Sequence, residues 1–284
     1  MADVLIDTVL DSIKLIPFLF LTYLVMEILE HKTGEKSKKR IQKAGNFGPI
    51  WGGLLGVIPQ CGFSTVAANL YSGGVITVGT MLAVFLSTSD EMLPIMISES
   101  VSPYTVMKIL FVKVIIAIIS GLIAEFVYLK LLKNHEKGIH IHEMCTDENC
   151  HCEDGIVVSS VKHTLKIIAY IFLVTLVLNV VIQAIGEDTI GTVLSGKPWI
   201  EIIIAGILGL IPNCASSVII TEIYLLGMIS PGAMIAGLMA NAGVGILVLF
   251  KMNHNRTQNM KIVGVLYLIS IFWGIVLEIA GISF

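Results

Sequence analysis

Charge is the scarcest property of this sequence. Asp, Glu, Lys and Arg together make up 14% of its 284 residues, against about 25% in a water-soluble chain. A surface wetted on all sides cannot be built from that composition, so a soluble globular domain is excluded. The net charge of −3 says nothing about partners, because orientation in a bilayer depends on where Lys and Arg lie between spans, and nothing in the sequence suggests nucleic acid. No Gly-rich loop ending in Gly-Lys-Ser/Thr occurs, so the chain carries no P-loop motor of its own. The first flank, "MADVLIDTVLD", is acidic and no small-residue cleavage site follows the first apolar run. That run is expected to stay as a helix rather than be removed as a leader. The five cysteines are odd in number and three of them cluster beside histidines, unlike a secreted disulfide framework. Every histidine lies in or beside a loop, which leaves the apolar-segment thiols Cys61 and Cys214 without the base a catalytic thiolate needs. An enzyme is therefore not expected, and no cofactor is required.

What the chain has instead is hydrophobic length. Apolar runs extend over Ser12–Glu30, Val106–Leu132, Val161–Ile185 and Met260–Phe284, each long enough to cross roughly 30 Å of hydrocarbon. The expectation is an all-α polytopic membrane protein with lipid as its main partner. Self-association into a homo-oligomer is left open.

The sequence also repeats itself. "GLLGVIPQC" at residues 53–61 matches "GILGLIPNC" at 206–214, so Cys214 lies 214 − 61 = 153 residues after Cys61. At the same offset Tyr71 falls on Tyr224, Gly74 on Gly227, Gly79 on Gly232, Gly121 on Gly274 and Glu125 on Glu278. The reading is a first membrane repeat over 1–132, a polar loop over 133–162 and a second repeat over 163–284. The loops between apolar runs set their orientation. "HKTGEKSKKRIQK", 31–43, is strongly basic, whereas its counterpart "GEDTIGTVLSGK", 186–197, has one Lys against two acids. The other pair is biased the opposite way: "ESVSPYT", 99–105, has no base and "KMNHNRTQNMK", 251–261, has three. Because basic loops stay cytoplasmic, equivalent loops are expected on opposite faces. The halves are then inverted repeats of about five membrane segments each, with both termini outside and the central loop in the cytoplasm of a multi-pass cytoplasmic-membrane protein.

Inverted repeats are the build of many secondary transporters, whose substrate sites lie near the midplane beside broken helices. Proline removes a backbone donor and crowds the preceding turn, so Pro59 and Pro212 are expected to break spans into half-helices at the core. Freed backbone in lipid must be satisfied by protein or by water in a cavity. The polar residues that follow are candidate translocation residues: Gln60, Cys61, Ser64 and Asn69 in the first half, and Asn213, Cys214, Ser216, Ser217 and Glu222 in the second. Close helix packing is the alternative use of Ser and Cys at such places. A second cluster, "FLSTSDEMLP", sets Thr88, Asp90 and Glu91 inside an apolar run, with Asn241 aligned to Thr88 and Gly243 to Asp90. A charge at the centre of a span costs on the order of 2.5 to 3.5 kcal/mol on insertion scales, so such acids usually face a cavity and a partner.

The central loop, "HEKGIHIHEMCTDENCHCED", offers His140, His142, Cys145, Cys150, His151 and Cys152 as a metal-ligand set. Soft thiolates and imidazoles suit thiophilic ions, and cytosolic thiols stay reduced. Their spacing matches no standard finger.

With "PQCGFS" and "PNCASS" together in an inverted repeat, and with a His-rich central loop, the chain resembles the ten-transmembrane heavy-metal exporter family, also described as arsenic-efflux-like or manganese transporters. The resemblance covers nearly the whole chain. It implies five crossings per half and metal or metalloid efflux, and it places Pro59, Gln60, Cys61, Pro212, Asn213 and Cys214 in the shared core. The expected function is a secondary active transporter that exports a divalent metal cation or metalloid by alternating access, with proton exchange at Asp90 or Glu91. The metal ion is then cargo or loop ligand. The alternative is a carrier of a small organic solute or anion.

Overall fold

In the computed structural model the protein is all helical, and no strand occurs among the described residues. These are residues 9, 13, 16, 17, 19–21, 24, 47–58, 62–89, 91–131, 156–185, 198–253, 255–282 and 284. The helices with stated bounds are α1 Gly48–Leu55, α2 Gly62–Ser72, α3 Val78–Ser87, α4 Met92–Ser98, α5 Pro103–Leu131, α6 Ile156–Ile185, α7 Pro198–Gly209, α8 Cys214–Leu225, α9 Pro231–Ala240, α10 Gly245–Met252 and α11 Arg256–Ile279. Helix α6 starts at Ile156, inside the segment expected to be loop.

Among the described residues, four stretches are long and apolar enough to cross a membrane: Val78–Ser98, Pro103–Val127, Pro231–Met252 and Arg256–Ile279. Pro103–Val127 and Arg256–Ile279 leave Phe111, Ile123, Phe126, Leu268 and Phe272 exposed on their outward sides. A face of that kind needs lipid rather than water. The protein is a multi-pass membrane protein.

The ends of these helices follow from local sequence. Pro103, Pro198 and Pro231 stand at helix starts, where the missing N–H costs nothing. Thr77 caps α3 by accepting from the Thr80 N–H at 3.3 Å, and Ser230 caps α9 by accepting from the Ala233 N–H at 3.2 Å. The turns out of α2 and α8 close on Gly74 and Gly227, with φ of 71° and 70°. That left-handed conformation favours glycine, and both turns make matching hydrogen bonds, Gly74 N–H to Tyr71 O and Gly227 N–H to Tyr224 O. These features of the first half thus recur in the second at the spacing of the sequence repeat.

Packing recurs as well. Helices α1, α3 and α5 form one mutually packed group and α7, α9 and α11 another. Within each, two glycines let backbones touch: a Cβ at Gly79 would stand 2.4 Å from the Gly121 carbonyl oxygen, and one at Gly232 would stand 2.5 Å from that of Gly274. Small residues are how membrane helices approach closely. The halves then exchange elements. α2 packs on α10, α8 on α4, and α3 meets α9 between them. Every residue of α3, and all of α9 from Gly232 to Ala240, is buried, so these two half-helices form the centre of the molecule.

Candidate functional site

Two pairs of interruptions surround that centre. The first lies between α1 and α2 and between α7 and α8. In the second half Leu210 to Asn213 form the bend, with Pro212 at its middle and Asn213 as N-cap of α8, its Oδ1 accepting from the Ala215 N–H at 3.4 Å. Pro212 therefore ends one helix and precedes another, as its chemistry requires. The equivalent Pro59, Gln60 and Cys61 lie outside the described residues.

The second interruption divides α3 from α4 at Thr88 to Glu91, and α9 from α10 at Asn241 to Val244. The apolar patterning leads one to expect polar groups here but not a break. A signal for the break is present in Gly243, whose φ is 51°, a conformation that ends regular helix. Thr88 and Asn241 occupy equivalent C-cap positions, their N–H groups donating to Val84 O at 3.0 Å and Gly237 O at 3.1 Å.

These interruptions adjoin one another. Ser89 Oγ donates to the Val57 carbonyl at 3.0 Å, tying the second break of the first half to the end of α1. Gly56 and Gly209 allow the same approach in each half, since a Cβ there would meet Ser87 Oγ at 2.1 Å and Gly237 O at 2.1 Å. Across the halves, a Cβ on Gly245 would strike Ser64 at 2.9 Å, so Ser64 of α2 lies against the break below α9. Ser64, Asn69, Thr88, Asn213, Cys214, Ser216, Ser217 and Asn241 are all buried. Among the expected residues Glu91 is half-buried, and Glu222 is exposed on α8, away from this core. Asp90 lies outside the described residues. So do His140, His142, Cys145, Cys150, His151 and Cys152, and no metal-ligand cluster occurs among the described residues.

Four of the hydroxyls share one polarity. Ser216 Oγ donates to Asn213 O at 2.8 Å, Ser217 Oγ to Cys214 O at 2.8 Å, Thr221 Oγ1 to Ser217 O at 2.7 Å and Thr88 Oγ1 to Val84 O at 2.7 Å. A hydroxyl whose proton is committed to a carbonyl presents its lone pairs to a visitor. Helices α3 and α9 also direct their C-terminal ends, the negative poles of their dipoles, into the same region. The N-terminal ends of α8 and α10 reach the same breaks with the opposite polarity.

Lys113 is a central residue that the sequence motifs do not single out. It lies on α5 with no exposed surface, and its Nζ donates to the Thr88 carbonyl and, at 3.5 Å, to the Leu238 carbonyl. This one side chain thus touches the ends of both α3 and α9. The signal that could have found it is a lone lysine inside the apolar run from Val106 to Leu132, where an ionisable residue marks a functional position by default.

Three glutamates, Glu125 and Glu201 buried and Glu278 half-buried, serve the opposite ends of the same half-helices. Glu125 Oε2 accepts from Gly79 N–H at 3.2 Å, Glu278 Oε2 from Gly232 N–H at 3.1 Å, and Glu201 Oε2 from Ser230 N–H at 3.0 Å. They hold helix starts and do not join the central group.

A family model described as "Putative, 10TM heavy-metal exporter" matches residues 1–185 and 151–282 of the chain. No curated protein and no solved structure matches it.

Proposed function

The chain belongs to this family of 10TM heavy-metal exporters, and from that premise we propose that it exports a divalent metal cation or metalloid by alternating access, driven by proton exchange. Metal efflux is the general function the family supports. The observation that carries the finer reading is the buried polar centre, where the C-terminal ends of α3 and α9 converge and the surrounding hydroxyls turn their lone pairs outward from their own hydrogen bonds. Oxygen acceptors of this kind suit a hard divalent ion such as manganese, whereas the Cys61 and Cys214 pair suits arsenite or a soft ion.

In this reading the two halves are inverted repeats, both termini are external and the central loop is cytoplasmic. There His140, His142, Cys145, Cys150, His151 and Cys152 collect metal before transport. Pro59 and Pro212 shape the facing breaks, and Asp90 or Glu91 carries the exchanged proton. The protein is a carrier without enzymatic activity or resident cofactor.

Uptake into sealed inverted vesicles tests it, across manganese(II), zinc(II), cadmium(II) and arsenite, with Cys61→Ala, Asp90→Asn and Cys214→Ala assayed singly. The expected outcome is proton-dependent accumulation of at least one species, reduced severalfold in at least one variant. Accumulation of none by the wild-type protein overturns the function; wild-type rates in all three variants overturn the site alone.

A further inference from the structure

Helix α1 runs parallel to α3, the span that follows it. A Cβ on Gly48 would meet Thr80, one on Gly52 would meet Thr80 and Val84, and one on Gly56 would meet Val84 and Ser87, while the Val57 carbonyl accepts from Ser89. Helix α7 runs parallel to α9 in the same way. Glu201 accepts from the Ser230 N–H, a Cβ on Gly237 would meet the Ala205 carbonyl, and one on Gly209 would meet Gly237 and Ala240. Were α1 and α2 the two pieces of one broken crossing, α3 would come back antiparallel to α1. Instead the chain must return between them, and the described helix that lies between is α2 in the first half and α8 in the second. The turns at Gly74 and Gly227 then deliver it to the start of α3 or α9, beside the start of α1 or α7. Each pair therefore begins and ends on one face.

None of these helices is long enough to cross. At 1.5 Å per residue, α1 with 8 residues spans about 12 Å, and α2, α7 and α8 with 11 or 12 span about 17 to 18 Å, against roughly 30 Å of hydrocarbon. Their inner ends also stop half way. Val57 meets Ser89, and Gly209 meets Gly237 and Ala240, at or just before the interruptions in the middle of Val78–Ser98 and Pro231–Met252.

The span Pro231–Met252 tells the two faces apart. Its beginning is beside the outer end of α7, through Glu201 and Ser230. Along its second part lies α2, with Ser64 against Gly245 at the break and Tyr71, near the outer end, accepting from Gln258 Nε2 at 2.7 Å beyond the end of the span. The pair α1–α2 thus opens where that span finishes, and α7–α8 opens where it begins. The sequence agrees, since the basic residues of 31–43 precede α1 and those of 251–261 flank Gln258, and basic loops share a face.

We propose that α1–α2 and α7–α8 are re-entrant hairpins, that they enter the membrane from opposite faces, and that their tips stop at half depth against the broken spans. Ser64 and Asn213, which stand by the tips, are then held near the midplane on hairpins open to opposite sides. Of the five membrane segments expected in each half, two form a hairpin and three cross; three, like five, is odd, so the inversion of the halves is kept. Under the export function this sets one hairpin on either side of the cargo site. The topology itself stands without that function.

Two measurements test the proposal. In a chain with its five native cysteines replaced, Val75→Cys and Met228→Cys report the turns, and Ile58→Cys and Ile211→Cys the tips. All four positions are exposed or half-buried, so a thiol is accommodated. In sealed right-side-out and inverted vesicles, an impermeant maleimide is expected to reach Val75→Cys only from the face that labels Lys38→Cys, and Met228→Cys only from the opposite face. Reaction of Val75→Cys from the face opposite Lys38→Cys makes α1–α2 a single broken crossing and overturns the hairpin. Each tip cysteine is expected to resist the reagent applied to the face opposite its turn. Labelling there at the rate of a loop cysteine makes the pair two full crossings, which also overturns it. The second measurement needs no variant: wild-type protein in lipid nanodiscs is labelled with a lipid-soluble photoactivated diazirine and read by mass spectrometry. Insertion at Leu55 and Ile58, both exposed, is expected to exceed that at Met228 severalfold, because the tip lies in hydrocarbon and the turn in water. Equal insertion overturns the half-depth tip. If vesicles transport no metal while the labelling follows this pattern, the export function fails and the hairpins stand.

Discussion

Glu125 and Glu278 show how a single residue type serves an element far away in sequence. Each stands on a long helix and accepts a backbone N–H from the first turn of a half-helix 46 residues earlier. The aligned pair is legible in the sequence, but its hydrogen-bond partner is not. A side chain that caps a helix start contributes typically about 1 kcal/mol, up to about 2. Glu125→Leu and Glu278→Leu are therefore each expected to lower unfolding stability in lipid nanodiscs by about 1 to 2 kcal/mol, by similar amounts because their geometry is the same. If one variant melts like the wild type while the other falls, the equivalence of the two caps is wrong. Lys113 is the converse case. Its equivalent is Leu266, so no internal comparison of the halves singles it out, and only the meeting of α3 and α9 shows what its ammonium touches.

At the level of elements, close packing of helices is set by glycine on facing surfaces. A methyl group at Gly121 would meet Ala83 Cβ and the Gly79 carbonyl oxygen, both at 2.8 Å, and one at Gly274 would meet Ala236 Cβ at 2.7 Å. Overpacking of this kind costs typically about 1 to 3 kcal/mol, so Gly121→Ala and Gly274→Ala are expected to be clearly destabilised in thermal unfolding. Gly264 is the control, since a Cβ there meets nothing within 4 Å. In the interior of α11, Gly264→Ala should leave stability unchanged or raise it by up to about 1 kcal/mol through helix propensity. Destabilisation of Gly264→Ala equal to that of Gly121→Ala would show that loss of glycine, not crowding, is responsible. The breaks at Thr88 and Asn241 also belong to this level. Threonine, serine and asparagine in an apolar run announce polarity, but helix or break is settled by whether neighbouring elements can satisfy the freed backbone. Here Ser89 reaching Val57 and Asn241 capping Gly243 do so.

Across the molecule the halves are joined through exchanged packing and a few polar contacts. Trp273 Nε1 donates to Ser120 Oγ at 2.9 Å and Gln258 Nε2 to the Tyr71 hydroxyl at 2.7 Å. Ser120 and Trp273 are themselves repeat equivalents, 153 residues apart, so that contact joins one position to its own counterpart. In the proposed alternating access such contacts would part. The proposed inversion of the halves has its own test. In a chain with its five native cysteines replaced, Lys38→Cys is expected to react with an impermeant maleimide only from the cytoplasmic face, and Thr192→Cys only from the external face. Labelling of both from one side would disprove opposed halves.

The class of this protein is set by composition and repetition. Low charge and long apolar runs leave no solvent but lipid, and the offset of 153 residues, visible from Cys61 and Cys214 alone, carries the start of α3 at Val78 onto the start of α9 at Pro231. Helix ends are equally legible where proline, a capping hydroxyl or glycine stands at them, because those preferences are local. Tertiary packing settles the rest: which breaks meet, that α2 pairs with α10 and α8 with α4, that Glu222 faces away, and that Lys113 bridges the ends of α3 and α9. Such contacts join residues 25 and 125 positions apart. No local pattern encodes them, since which carbonyl an ammonium reaches depends on how two helices from different halves are brought together.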